Sequence, residues 1–202
     1  LTRPANPRIA LPAEIFDPVR RNSKGWDFSD PRDLARFDAL RAPFRRRTWK
    51  AGPMLAAQAR GAMVRLSVNP ADPDDSPGEI HTAGAADIDA AIASARCWDA
   101  DVDSRAEVLL CAADLYEAHT GEIAVLLARE AGKTPADCAG ELREAVDFLR
   151  YYSAESRSGP AGPPRGIFAC ISPWNFPLAI FTGQIAAALA TGNAVIAKPA
   201  EQ

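Results

Sequence analysis

The most distinctive pattern in the chain is a long stretch without charge near its end. Between Arg165 and Lys198, 32 consecutive positions carry no charged side chain, although 24% of the sequence is charged. An apolar run at 167–171, a polar turn, a helix-length apolar segment at 178–190, a Gly-Asn turn and a second apolar run at 194–197 follow one another. This order predicts a buried strand–helix–strand unit.

The residues at the boundaries of these elements support the same unit. The run 167–171 shows no polar/apolar alternation, so we expect a parallel strand that is buried on both faces. Pro173 ends this strand because proline has no N–H for the ladder. Pro177 fits the first turn of the helix, and Gly192 is expected to end that helix in a left-handed conformation. A membrane span is excluded because the uninterrupted apolar run is shorter than the roughly 18 residues that a span needs.

The residues before this stretch predict a connecting region and a hairpin. Residues 1–63 are rich in proline and arginine, which predicts an extended connecting region with a short helix at 33–40. Residues 64–68 and 79–82 are predicted to pair as strands around a turn rich in Pro, Asp and Gly.

Four helices are predicted between the hairpin and the charge-free stretch. The first begins near Ala85. The second has Ser104 as its N-cap, with Glu107 completing a capping box. The third ends at Gly132, and the fourth begins with Thr134 as its N-cap. The apolar positions expected to face the core are Ile88, Ala91, Ile92, Ala95, Val108, Leu109, Ala112, Leu115, Leu142, Ala145, Val146, Leu149 and Tyr152.

Composition and charge narrow the class of function. A net charge of −3 and a pI near 5.5 argue against nucleic acid or an anionic membrane as the main partner. Four cysteines without paired spacing indicate reduced thiols in a cytoplasmic protein, and two histidines argue against a zinc site. Neither a signal peptide nor a transmembrane segment is visible.

Polar residues at the carboxyl ends of the two predicted strands are the candidates for chemistry, because α/β sheets bind ligands at that edge. Asn175 can donate two hydrogen bonds and stabilise an oxyanion by roughly 3 kcal/mol, or it is an ordinary turn residue. Lys198 could donate to hydroxyls or phosphate and Glu201 could accept from a ribose diol, or both are plain surface residues. Trp174 and Phe176 are either core aromatics or walls of a cleft.

Two other sequence features do not indicate a functional site. Gly132-Lys133-Thr134 matches the end of a phosphate-binding loop motif. That motif requires a glycine at the position of Leu127, so a helix cap is the better interpretation of these residues. Cys170 lies inside the first strand, where burial raises a thiol pKa, so we expect a structural cysteine rather than a nucleophile.

Three groups of residues occur in an order that carries a family resemblance. The first is Ile171-Ser172-Pro173-Trp174-Asn175-Phe176-Pro177, followed by Gly192-Asn193 and Lys198-Pro199-Ala200-Glu201-Gln202. These motifs resemble the aldehyde dehydrogenase superfamily. The segments 129–134 and 144–152 resemble the pyrroline-5-carboxylate dehydrogenase half of bifunctional bacterial proline-utilisation flavoenzymes. Residues 22–25 resemble the junction after the proline dehydrogenase half.

The resemblance implies an α/β fold with an incomplete Rossmann-type NAD-binding domain, preceded by a helical linker and a β-hairpin. Residues 1–63 would be the linker after a proline dehydrogenase region, and 64–202 the N-terminal part of the NAD-binding domain. The implied reaction is NAD-dependent oxidation of glutamate semialdehyde, the open form of pyrroline-5-carboxylate, to glutamate. FAD is expected only in the upstream region. The implied partners are the aldehyde and the remainder of the polypeptide, with a homo-oligomer left open.

The resemblance also implies roles for individual residues. Asn175 would hold the thiohemiacetal oxyanion, and a carboxylate at Glu201 would favour NAD over NADP by repelling a 2′-phosphate. Phe176 would pack on the substrate. Glu144, which helix spacing alone makes a solvated residue, would point into the substrate tunnel. The residues implied in cofactor binding are Ile171, Ser172, Pro173, Trp174, Lys198 and Glu201.

The sequence departs from the family pattern in its catalytic nucleophile. The nucleophilic cysteine and the general-base glutamate of the family lie downstream of the Lys-Pro-Ala-Glu motif, and none of the four cysteines here matches. Two alternatives therefore stay open. The chain is a non-catalytic fragment or scaffold, or it comes from an aldehyde dehydrogenase with another substrate.

Overall fold

A computed structural model describes residues 6, 8–58, 60–159 and 162–201. The predicted linker 1–63 and the final motif therefore lie partly outside the described residues, the latter at Gln202. The helices are α1 (Pro31–Arg41), α2 (Ala85–Ser94), α3 (Val102–Ala118), α4 (Thr120–Ala131), α5 (Pro135–Ser158) and α6 (Ala179–Ala190). The strands are β1 (Trp49–Ala51), β2 (Met63–Ser67), β3 (Gly78–Thr82), β4 (Ile167–Ile171) and β5 (Ala194–Lys198).

The long helix α5 organises the larger core. Thr134 is its N-cap, and the Thr134 hydroxyl accepts from the Asp137 N–H at 3.2 Å, which confirms the predicted start. The preceding helix ends at Gly132, whose φ of 65° is the left-handed conformation expected of a C-cap. α5 packs between α3 and α6 around the buried residues Leu109, Ala113, Leu142, Val146, Leu149, Ala186 and Ala190.

The region predicted as a connecting segment packs onto these helices. Phe37 of α1 is buried against α4 and makes edge-on contacts with Trp26 and Phe28, each with ring centroids 5.1 Å apart. Ser23 is buried, and its N–H and hydroxyl donate to the Asp147 carboxylate at 2.9 and 2.7 Å. The helix at 33–40 is confirmed with slightly wider bounds.

Two small sheets complete the fold. The predicted hairpin is confirmed, since β2 and β3 pair antiparallel from Met63 opposite Thr82, and β1 adds to β3 in parallel. β4 and β5 pair in parallel, with α6 as their crossover. The predicted strand–helix–strand unit is therefore present.

Charged residues from other helices satisfy both ends of α6. At its C-terminus, the Arg105 guanidinium of α3 donates to the Ala190 carbonyl at 3.1 Å. At its N-terminus, the Glu141 carboxylate of α5 accepts from the N–H groups of Leu178 and Ala179 at 2.7 and 3.3 Å. α6 itself contains no charged side chain, so the charged groups at its ends come from other helices, while the N–H groups of Gly192 and Asn193 donate locally to the Leu189 and Ala188 carbonyls.

The prediction that β4 is buried on both faces is wrong in the part of the chain that the structure describes. Ile167, Phe168 and Ile171 are 47, 42 and 64% exposed, and only Cys170 is buried. The physical reason is that β5 is the only neighbouring strand and α6 covers one face, while no other described element lies on the second face.

Two predicted helix starts are displaced. The N-cap of α3 is Asp101, whose carboxylate accepts from the Ser104 N–H at 2.8 Å, so Ser104 lies three residues inside the helix. An aspartate at this position caps as well as a serine, and it comes first along the chain. Pro177 precedes α6 instead of standing in its first turn, because a turn intervenes and the backbone becomes helical only at Ala179.

Two predicted apolar faces are partly solvent-exposed. Ile88 and Ile92 of α2 are each half-exposed, because no other described element covers that side of the helix. In α3, Leu109 is buried as expected, but Val108 and Leu115 are exposed. The buried face of α3 runs through Ala106, Leu109 and Ala113, which turns these two residues away from α5.

We expect Gly121→Ala to destabilise the chain by about 2 kcal/mol, because overpacking a tight contact costs roughly 1–3 kcal/mol. A Cβ at Gly121 would overlap the backbone carbonyl of Leu40, where α4 crosses the end of α1. Gly140→Ala is the matched control, since a Cβ there meets nothing within 4 Å and alanine favours the helix by about 0.5–1 kcal/mol. Urea unfolding of both variants measures the difference, and equal stability would contradict this account of the helix crossing.

Candidate functional site

The carboxyl ends of β4 and β5 lie side by side. Ile171 is opposite Lys198 in the parallel ladder, and the Ser172 N–H donates to the Lys198 carbonyl at 3.0 Å. The turn after β4 and the residues after β5 therefore emerge at one edge of the strand pair, as the sequence predicts.

The turn after β4 presents aromatic side chains at this edge. Ser172 is buried, and its hydroxyl lies 3.3 Å from the Pro173 carbonyl oxygen, so it shapes the turn from inside. Trp174 and Phe176 are exposed, as is the side chain of Ile171. Neither aromatic is a core residue within the described chain, which leaves both rings available to a ligand.

Asn175 combines a fixed backbone with an unengaged side chain. Its backbone carbonyl accepts from Lys133 Nζ at 2.8 Å. Its side chain is exposed, and its amide forms no hydrogen bond with any residue in the described ranges. Since Asn175 is held through its main chain, both N–H bonds of its side-chain amide remain available as donors.

A buried ion pair supports the turn from beneath. Glu141 Oε2 lies 2.7 Å from Lys133 Nζ, and the two side chains are only 1 and 14% exposed. The ammonium also lies 4.8 Å from the centre of the Phe176 ring, within range of a cation–π contact. The other carboxylate oxygen caps α6 through the N–H of Leu178. Lys133 therefore contacts the middle of the turn at Asn175, and Glu141 contacts its end at Leu178.

Sequence reasoning missed Lys133 and Glu141 as contributors to the site. Lys133 appeared only within the false phosphate-loop motif and the segment 129–134, and Glu141 was not singled out. One signal was available: Leu178, the residue at the N-cap of α6, has no side chain that can accept a hydrogen bond. A buried helix end without a local cap requires an acceptor from elsewhere in the fold.

Lys198 and Glu201 form an exposed ion pair after β5. Lys198 Nζ lies 2.6 Å from Glu201 Oε2. This hydrogen bond from Lys198 lowers the pKa of the Glu201 carboxyl, so the carboxylate is charged at neutral pH. Both side chains are more than half exposed, so each retains free donors or acceptors toward solvent.

Glu144 is exposed on α5, one turn after Glu141. It forms no hydrogen bond or ion pair with the described residues, so no such contact joins it to this edge. One turn further along, the Phe148 ring packs against Gly183 of α6. Glu144 therefore flanks the face of α5 that contacts α6.

None of the four thiols lies at this edge as an accessible nucleophile. Cys170 is buried within β4 and Cys138 within α5; burial raises the pKa of both thiols, that of Cys138 to about 11. Cys97 is exposed, but its Sγ lies 3.9 Å from the Gly166 carbonyl, before β4 begins. Cys111 is exposed on α3. The expectation that Cys170 is a structural thiol agrees with its burial.

Neither a metal site nor a membrane-spanning helix is present in the described residues. Within the described ranges, no group of three or more His, Cys, Asp or Glu side chains is placed to hold a metal ion. Over the same ranges, each helix is too short or too polar to cross a membrane.

Comparison with known proteins gives consistent matches. The aldehyde dehydrogenase family matches residues 58–202. The bifunctional protein PutA of Escherichia coli is 42% identical over 205 residues, a match that covers 98% of this chain and 16% of that protein. The chain thus spans about a sixth of the length of this relative.

Solved structures show the same likeness. A Bradyrhizobium japonicum proline utilization A (PutA) structure is 36% identical, with a TM-score of 0.71 over 98% of this chain and 19% of that one. A Thermus 1-pyrroline-5-carboxylate dehydrogenase with bound NAD is 29% identical, with a TM-score of 0.78 over 90% of this chain and 40% of that one. On the family match and these likenesses, the chain belongs to the aldehyde dehydrogenase family.

Proposed function

We propose that the chain is part of an NAD-dependent dehydrogenase that oxidises glutamate semialdehyde to glutamate, within a longer bifunctional proline-catabolic polypeptide. Residues 1–63 are then a linker and 64–202 the N-terminal part of the NAD-binding domain. The observation that carries the proposal is that Asn175, with its free amide, shares one strand edge with the exposed Lys198–Glu201 pair. The likeness to PutA over 98% of the chain supports the substrate class.

The strand edge offers groups that suit NAD. The ammonium of Lys198 and the carboxylate of Glu201 give a donor and an acceptor for the two hydroxyls of an adenosine ribose. Ile171 and Trp174 add exposed apolar surface beside them, and the Ser172-Pro173 backbone shapes the floor. When bound, NAD supplies the hydride acceptor for the oxidation.

Asn175 supplies the electrostatic part of the chemistry. As a thiolate adds to the aldehyde carbon, the carbonyl oxygen gains negative charge, and a positioned amide N–H stabilises that charge by roughly 3 kcal/mol. Phe176 packs on the substrate chain. Glu144 would face the substrate tunnel from α5, where it flanks the face that contacts α6.

We infer that the thiolate comes from the remainder of the polypeptide, so the 202-residue chain alone is non-catalytic. Two of its four thiols, Cys138 and Cys170, are buried with raised pKa values. Incubating the chain with semialdehyde and NAD is expected to give no NADH, with the full-length polypeptide as the positive control. NADH formation by the short chain would contradict this inference. A different aldehyde preferred by the full-length polypeptide in a substrate panel would support the alternative of another specificity.

In the full-length polypeptide, we expect Asn175→Ala to lower kcat by about 100- to 1,000-fold, because one oxyanion donor is lost. The dissociation constant for NAD should change by less than about threefold, since the amide does not contact the ribose pair. Steady-state kinetics and NAD titration measure the two quantities. Asn6→Ala, at an exposed asparagine distant in sequence, is the control. An unchanged kcat in Asn175→Ala would remove the oxyanion role.

Glu201→Gln should shift the preference between the two cofactors. Without the carboxylate, repulsion of a 2′-phosphate disappears, and we expect the ratio of kcat/KM for NADP to that for NAD to rise about tenfold, or roughly 1.4 kcal/mol. Glu155→Gln, an exposed glutamate on α5, is the control and should leave the ratio unchanged. A constant ratio in Glu201→Gln would argue against the assignment of Glu201 to the ribose.

A further inference from the structure

The buried pair Lys133–Glu141 joins three elements beneath the turn that carries Asn175. Lys133 follows the left-handed cap at Gly132, and its N–H donates to the Leu127 carbonyl at 3.4 Å, which fixes the end of α4. Glu141 stands in the second turn of α5. Their charged groups meet the turn from below, 2.7 Å from each other.

The groups that the pair engages are main-chain atoms in the middle of the turn and at its junction with α6. Lys133 Nζ donates to the Asn175 carbonyl at 2.8 Å. Glu141 Oε1 accepts from the N–H groups of Leu178 and Ala179 at 2.7 and 3.3 Å. A backbone clamped at these points leaves the Asn175 side chain few directions in which to project.

Stability alone does not require charges at this place. α5 and α6 already pack through an apolar cluster that includes Val146, Leu149 and Ala186. Replacing a buried ion pair with apolar residues of similar volume is often neutral or stabilising in proteins. What apolar residues would not provide is a donor for one carbonyl and an acceptor for two N–H groups, which together set the position of the turn.

We propose that Lys133 and Glu141 are positioning residues, which act through the backbone of the turn to hold the Asn175 amide where the oxyanion forms. The inference rests on the proposed role of Asn175. Neither residue touches the substrate or the cofactor; each acts only through the turn. A displacement of about 1 Å in a positioned group can lower a rate about 100-fold, so loss of the pair should appear in kcat.

The test is a double-mutant cycle in the full-length polypeptide. Glu141→Gln, which keeps the shape and removes the charge, should lower kcat about 10- to 100-fold, with KM and the NAD dissociation constant changed less than about threefold. In the Asn175→Ala background, the same substitution should change kcat by less than about twofold, because the positioned group is already absent. Glu155→Gln, on the exposed side of the same helix, is the control and should leave kcat unchanged in both backgrounds.

Lys133 provides a second, independent pair of variants. Lys133→Arg retains a donor and a charge, and it should keep most of the activity that Lys133→Met loses. If Glu141→Gln does not fold, as judged by thermal unfolding, the two Lys133 variants take its place in the cycle and decide the question.

The outcomes separate the two proposals. An unchanged kcat in Asn175→Ala alone overturns the oxyanion function. If Asn175→Ala lowers kcat but Glu141→Gln lowers it equally in both backgrounds, the function stands and the positioning inference is wrong. A loss confined to thermal stability, with kcat unchanged, also overturns the positioning inference.

Discussion

The candidate site depends on the interactions of the Glu141 carboxylate. It is buried between α5 and α6, with two main-chain N–H groups on one oxygen and the Lys133 ammonium on the other. The buried charge is tolerated because Oε1 accepts these two hydrogen bonds and Oε2 is ion-paired with Lys133. The Glu141 side chain thus caps the N-terminus of the crossover helix where the polar turn ends. It also pairs with Lys133, whose ammonium lies near the aromatic ring of Phe176.

Local patterns were sufficient for much of the fold. Thr134, Gly132 and Gly192 marked helix ends correctly, because caps are set by residues within one turn of each other. The parallel strand pair followed from two apolar runs of strand length on either side of an apolar helix. What these patterns specify is the identity of each element and the edge at which the strands end.

The errors arose where a distant residue decides the local structure. The start of α6 depends on Glu141, 37 residues before Leu178, and no window of sequence around Pro177 contains that information. The exposure of Ile167 and Ile88 has a similar origin. An apolar pattern predicts that one face of an element is covered, but it does not identify the part of the polypeptide that covers it. The grouping of Lys133 with the Asn175 carbonyl was hidden for the same reason, since it joins two loops in the fold rather than in the sequence.

The charge-free composition of α6 makes its stability dependent on other helices. A helix of 12 residues is too short to persist in water by itself, and this one has no local cap at its first residue. Its partial positive end is met by a carboxylate on α5 and its partial negative end by the Arg105 guanidinium on α3. Both ends of the crossover helix between β4 and β5 therefore draw a charged partner from the α3–α5 layer. A substitution that shifts α3 or α5 is thus transmitted to the edge where β4 and β5 end, although it lies far from that edge in sequence.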